Sequence, residues 1–596
     1  MARLTKNAPK TYVAVNGFSG LRESPDGDTG LQWGEAAVMR NFCITEAGHL
    51  QIRPGTREML TLAQGQPVRG IYSGPVNGTD CLIAACGGHI WQLTQTEDGF
   101  TKADLGEADD APMHFFPFDN KLYALNGTAY LVWDGEGQFG PVGGYVPLVA
   151  VATPPEGGGT LLEPVNKLTG QKRQRFSPDG TGTVFQLGET EIDSVEAVVS
   201  RDGSTLSSWT VDLEQGTVTF STAPPKGVDA LEIQWAKGTG DRAAVTGMRF
   251  SEAYNGTADT RVFLYGDGTN RLLYSDLDEN GRPRADYFPD LNVLHVDEGE
   301  TKVTGLLRHF DKLMAFKEDG AFQISYDTIP LEDGSVTAAF YVMPVNRTIG
   351  NEAPGQALLV GNWPRTLFGG GVYTWSTGES VRDDRLASRI SQRVAKTLSG
   401  FDFTKVYCFD DPISQTYFIF HQNQWLCHHY GRDAWSYHEG PAVTAAVRWD
   451  GKLYFGTASG ALLHSARAYR NDSGTEIDAY FESGSMDFDS GHLKKYVSHI
   501  FLSMQPESNA RISMAVRSNR GAYYVERQVA YSYWTFLHLD FAHLSFRTNR
   551  RPQMKKERFR VRQMTYFKLI LESHSASATA TILGAELAVQ YGGTIR

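Results

Sequence analysis

The feature that most constrains this chain is a recurring two-stranded phrase. An apolar run, a turn rich in Gly, Asn or Asp, and a second apolar run occur as CLIAACGGHIWQL (81–93), KLYALNGTAYLVW (121–133), RVFLYGDGTNRLLY (261–274), KLMAFKEDGAFQI (312–324), TLFGGGVYTW (366–375), TYFIFHQNQWLC (416–427) and KLYFGTASGALL (452–463). Three are introduced by near-identical words, FDNKLY, FDKLM and WDGKLY. Runs of this kind suit short strands closed by tight turns, and helix-length periodicity is almost absent. Successive starts lie 40, 140, 51, 54, 50 and 36 residues apart. One gap aside, these bracket the period of a four-stranded propeller blade.

The long gap has its own strand grammar. Between Val151 and Asp241 lie RQRFSPDGTGTVFQL and a segment in which Asp202-Gly203 suits a tight turn and Thr217-Val218-Thr219-Phe220 alternates strictly. Removing those 91 residues leaves 49, one ordinary blade. The chain is therefore read as all-β, a roughly seven-bladed β-propeller over 67–150 and 242–470 with a β-sandwich inserted at 151–241. A β-sandwich-like domain follows at 471–596, and an N-terminal extension at 1–66 supplies a latch. In that extension, Asn16 to Gly55 reads as a glycine-punctuated entry, a helix-compatible GEAAVMR and a hairpin around Glu46-Ala47-Gly48. Paired into the final sheet, the hairpin would fasten the last blade to the first.

At 596 residues the chain exceeds the size at which one core stops growing. Its net charge of −12 disfavours a general nucleic-acid binder, but the charge is uneven: Gly491 to Arg596 holds 16 Lys+Arg against 6 Asp+Glu, so this segment carries +10 and the remainder −22. Five cysteines, Cys43, Cys81, Cys86, Cys408 and Cys427, make no disulfide framework and point to a reducing compartment. No apolar run follows the basic N-terminus, and none approaches the roughly 18 residues of a membrane span. The expectation is a soluble protein assembled in a cytoplasm, without a membrane partner.

Sites of chemistry are sparse. Asp276-x-Asp278-x-Asn280-Gly281 matches the first half of a calcium loop, but Tyr287 stands where a bidentate Glu is needed. His421, Cys427, His428 and His429 suggest zinc, yet adjacent strand residues face opposite ways. SPDGTGTV (177–184) and SRDGSTLSSW (200–209) echo the Asp-box of sialidase propellers with Gly one place early. GFSGL (17–21) has Leu21 where a nucleophile elbow needs Gly. The NGT sequences at Asn77, Asn126 and Asn255 read as hairpin turns. Asp286, Asp290, Asp383 and Asp384 could hold a glycosidase pair, which needs only two carboxylates about 5–10 Å apart. No catalytic residue, cofactor or metal is assigned.

The passage RVFLYGDGTNRLLYSDLDENGRPRADYFPDLNVLHVDEGETKVTGLLRHFDKLMAFKEDGAFQI resembles the propeller core of neck and tail-nozzle proteins of tailed bacteriophages. The RN....E.G.L..RPG pattern before the first blade, LTGQKRQRFSPDGTGTVFQL in the insert, and SGSMDF.....KKYVSHIFL and RFRVRQMTYFKLIL near the end are similar to theirs. The resemblance implies a non-enzymatic virion subunit, assembled in a bacterial host cytoplasm. It implies a homo-oligomeric ring, six copies by that analogy, that meets portal or adaptor and other tail proteins and passes genomic DNA. The alternatives are a propeller glycosidase or depolymerase, or a carbohydrate-binding tail module, acting on host-surface polysaccharide.

RTNRRPQMKKERFRVR, Arg547 to Arg562, sets eight basic residues against Glu557. Its end alternates, so Arg558, Arg560 and Arg562 should form a row spaced about 6.6 Å apart with Phe559 and Val561 buried beneath. Arg547, Arg550, Arg551, Lys555, Lys556, Arg558, Arg560 and Arg562 are the candidate subunit or DNA interface. A solvated or locally ion-paired face is the plain competing reading.

Overall fold

The computed structural model describes residues 9–23, 30–97, 99–162, 165–200, 202–255, 259–330, 336–377, 385–519, 527–531, 534, 541, 544–549 and 551–594. The protein is all-β with a propeller fold; 56% of it is strand and 3% helix. Among the described residues, six four-stranded antiparallel sheets follow one another as simple meanders, and a seventh set of four strands is part of an eleven-stranded sheet. Six are continuous in sequence, spanning 68–107, 114–141, 250–295, 303–346, 358–389 and 407–439. The seventh joins three strands of 443–466 to Gly55–Thr61, with Leu462 opposite Leu60 and Ser465 opposite Thr56.

Each recurring phrase forms the second and third strands of its sheet. The burial explains why these were the legible ones. All five residues of Arg261–Tyr265 are buried, as are the last six of Thr79–Cys86, so apolar side chains point to both faces. Most first and fourth strands, such as His114–Phe118 and Val293–His295, are half wet and carry a weaker signal.

The chain divides into two compact units, 1–71 with 94–102 and 358–596, and 72–93 with 103–357. In the second unit, residues between two blades form a five-stranded and a three-stranded sheet. Phe176, Phe185, Val198, Val218, Ile233 and Trp235, all fully buried, make their core. The first strand of this insert is Leu148–Thr153, parallel to Gln171–Phe176, so it begins before the expected Val151. Leu168, 2% exposed, packs into the core of the flanking blades instead. Deleting Val151 to Asp241 therefore severs a strand and opens a blade core, and the product should aggregate. Excising 148–162 and 171–236 behind two short Gly/Ser links, which keeps Asn166 to Thr169, should leave soluble protein with its far-UV β signal. A soluble product from the plain deletion would show that Leu168 is dispensable.

In the first unit, the end of the chain builds two further sheets, and the N-terminus is woven into both. Thr11–Asn16 pairs with Thr581–Thr594, and Glu35–Arg40 pairs with Thr475–Ser483. The expected hairpin is present as Phe42–Ile44 and Leu50–Ile52, but it joins Thr581–Thr594. The strand that enters the last blade is Gly55–Thr61, directly after it. GEAAVMR is not helical: Glu35–Arg40 is a strand with Ala36 and Met39 buried. Cross-strand pairing outweighs its helix-forming composition. Ring contact between Phe42 and Phe481, centroids 6.4 Å apart, links one sheet to the other.

Candidate functional site

The basic run becomes the strand Gln553–Met564, which pairs along Leu493–Met504. Phe559 and Val561 are buried while Lys556, Arg558, Arg560 and Arg562 are exposed, in the expected alternation. Across the strands Lys556 lies opposite Phe501, which lies opposite Glu586. Arg558 lies opposite His499, then Ala588, then Tyr12. A cation row thus borders a band of rings: Tyr12 is 55% exposed and 6.1 Å from Phe501. Lys556 sits 5.7 Å from the Phe501 ring and Arg562 5.9 Å from that of Tyr496. Partial burial first, then the charges of Lys556, Lys10 and Arg558, push the His499 imidazole below its usual range.

The rest of the predicted set is elsewhere. Lys555 and Arg547 flank the Tyr531 ring at 5.4 and 6.0 Å. Arg551 is exposed at the strand's entrance, its backbone N–H donating to Asn549 Oδ1 at 2.9 Å. Arg550 lies outside the described residues. Tyr12, Tyr496, His499 and Phe501 were not identified from sequence. The alternation in HIF was a signal for His499 and Phe501, but Tyr496 joins their face only through the register shift between Val497 and His499, and Tyr12 is brought in from the other end of the chain.

The first unit also holds a cavity of about 600 Å³ beneath the N-terminal hairpin, walled by Phe418, Trp425 and Phe455. Several of its polar groups are engaged by the protein itself, whereas His429 Nδ1 and His438 Nδ1 are buried without a hydrogen-bond partner. Asp411 accepts from Arg448 Nε at 2.8 Å and from Ser414 Oγ at 2.6 Å. Burial raises the Cys43 thiol to about 11 and the Cys427 thiol too, so both stay protonated at neutral pH. Burial and then Arg53 lower His438 to about 3, which leaves it neutral.

Other candidates resolve into structure. In the calcium-like loop, Asp278 Oδ1 accepts from the N–H groups of Asn280 and Arg282, both at 2.9 Å, and Asp276 pairs with Arg261 at 3.1 Å. Tyr287 packs on Tyr145. His428 hydrogen-bonds Arg365 and Asp433 and stacks on Trp435, whereas His429 lines the cavity. Among the described residues no three His, Cys, Asp or Glu side chains are placed to hold a metal ion. Asp286 is forked by Arg284 at 2.6 and 2.7 Å, Asp290 is exposed, and Asp383 and Asp384 lie outside the described residues. Asp179 and Asp202 of the Asp-box echoes cap their own turns, through Gly182 and Ser204.

No family model matches the chain, and no curated protein matches it. Solved structures similar to it include the computationally designed Ika8 protein, at 12% identity and TM-score 0.30, over 69% of this chain and 99% of that one. BamB from Moraxella catarrhalis is similar at 11% identity and TM-score 0.30, over 76% and 97%. An exo-β-1,3-galactanase from Phanerochaete chrysosporium is similar at 9% identity and TM-score 0.21, over 90% and 100%. These values carry no inference of function. No helix among the described residues is long and apolar enough to cross a membrane.

Proposed function

We propose that the chain is a non-enzymatic structural subunit of a virion neck or tail nozzle, ringed with copies of itself around the path of the DNA below the portal. The observation that carries this reading is the cation row Lys556, Arg558, Arg560 and Arg562. No ion pair joins any of the four to another described residue, whereas Arg40, Arg173, Arg271 and Arg448 on other strands are each paired with a carboxylate. A row of cations without ion pairs along one sheet face is fitted to carboxylates of a neighbour. The second unit, with 39 Asp+Glu against 19 Lys+Arg, carries −20 and suits a surface along which DNA slides without sticking.

Two measurements test this reading. Low-resolution images of the particle should place the chain as a ring on the DNA conduit; a position on a distal fibre, or absence from the particle, would overturn it. Purified protein should leave capsular and wall polysaccharides intact. Release of reducing sugar, abolished by one Asp or Glu substitution, would favour the depolymerase alternative.

A further inference from the structure

We infer that the outer face of the sheet carrying Gln553–Met564 docks on the acidic blades of a second copy of this chain. This rests on the structural reading above and names the partner of the same face. The occupant follows from charge. Of the second unit's −20, a large share is concentrated in its first two blades, where residues 72–93 and 103–147 hold eight acids and a single lysine, Lys121. All eight, Asp80, Glu107 and Glu136 among them, are exposed. The complementary surfaces therefore belong to one sequence, and because they are different surfaces the contact is head-to-tail.

A single-stranded nucleic acid is the competing occupant, since rings beside a row of cations are its usual platform. Two observations weigh against it. The Phe501 and Tyr496 rings are already covered by Lys556 and Arg562, so bases would have to displace them. Glu586 stands in the middle of the face, opposite Phe501, where a backbone phosphate would meet it. A protein partner instead uses what remains exposed: Tyr12 and Met554, each 55% exposed, as apolar anchors beside the charges.

A charge swap tests the pairing. One variant carries Arg558→Glu, Arg560→Glu and Arg562→Glu; the other carries Asp80→Lys, Glu107→Lys and Glu136→Lys. All six side chains are exposed, so both variants should fold with wild-type circular dichroism and melting. In sedimentation at low salt, full-length wild-type chain should associate, and it should fall apart at ~0.5 M NaCl, where charges are screened beyond roughly 4 Å. Each variant alone should associate at least about tenfold more weakly, and mixing the two should restore association. Wild-type association that neither variant weakens would overturn this pairing while leaving the structural role standing. A wild-type chain that stays monomeric at low salt would overturn it too, and the particle images then decide the structural role separately. Failure of the mixture to recover would reject the partner assignment. Binding of a single-stranded oligonucleotide near physiological salt, lost in the arginine variant, would reassign the face to nucleic acid.

Discussion

Truncation of Arg53 to alanine should destabilise the first unit by about 3–5 kcal/mol, the usual consequence of leaving one half of a buried ion pair alone. Arg53 is 3% exposed and every nitrogen of its guanidinium is engaged. Nε donates to Asn41 Oδ1 at 3.0 Å, Nη1 to Pro54 O at 3.0 Å and to Asp472 Oδ1 at 3.1 Å, and Nη2 to Glu439 O at 2.7 Å and to the other Asp472 oxygen. Its plane lies 5.0 Å from the Trp425 ring. One side chain thus joins the N-terminal hairpin, the sixth blade and the entry to the final domain. Asn41, at φ +58°, is its counterpart: the same Oδ1 accepts from the Glu439 N–H, and Nδ2 donates to Asp478 O. Gly55 completes the clasp, because a Cβ there would meet Asn471 O at 2.3 Å. Urea unfolding followed by Trp fluorescence should show the loss, and Arg53→Lys should recover little of it because an ammonium lacks the fork. Replacing Arg53 and Asp472 together by Met and Leu should cost less than Arg53→Ala alone. A loss under about 1 kcal/mol for Arg53→Ala would mean that the hairpin is held by its strand pairing without the ion pair.

That clasp accounts for residues that sequence showed only as a pattern. The RN....E.G.L..RPG phrase carries no reactive group, and its partners, Glu439, Asp472 and Asp478, lie about four hundred residues further on. Local periodicity revealed each blade's central hairpin, because burial on both faces writes an apolar run into the sequence. It also revealed the arginine row, because alternation is a property of one strand. What it could not supply was pairing between distant segments: Tyr12 beside Phe501, or Glu35–Arg40 drawn into a sheet against Thr475–Ser483. The same limit blurred the insert's edge. Leu148–Thr153 looks like a continuation of the preceding blade until Gln171–Phe176 pairs with it, and Leu168 has an insert's position in sequence but a blade's position in space.

Asn166 is where that edge is held, and its replacement by alanine should cost the second unit about 3–5 kcal/mol through unpaired backbone groups. The side chain is fully buried and serves four backbone partners. Nδ2 donates to Tyr145 O at 2.9 Å and to Asp286 O at 2.8 Å, while Oδ1 accepts from Phe288 N at 3.0 Å and from Leu168 N at 3.2 Å. An isolated bridge to Pro289 adds its own backbone to the junction. The amide therefore acts as a short strand segment, with donors and acceptors presented in both directions between the insert's root and the blade. Alanine leaves Tyr145 O and the N–H groups of Phe288 and Leu168 without these partners, while Asp286 O keeps the Tyr145 N–H at 2.8 Å. The cost of each orphan is about 1–3 kcal/mol before relaxation, so two of the three suffice for the expected loss. Asp at the same place separates the halves of the effect, since a carboxylate keeps the acceptor for Phe288 and Leu168 but faces Tyr145 O and Asp286 O with no proton to give. At neutral pH Asn166→Asp should therefore be at least as damaging as alanine, and it should recover stability as the solution is acidified and the carboxyl becomes a donor. Melting curves at pH 7 and pH 5 would read both effects. A variant as stable as wild type at pH 7 would show that water or a shifted backbone takes over the amide's role, and that the insert is anchored by Leu168 and by Arg242, whose Nη1 donates to Leu168 O at 2.9 Å.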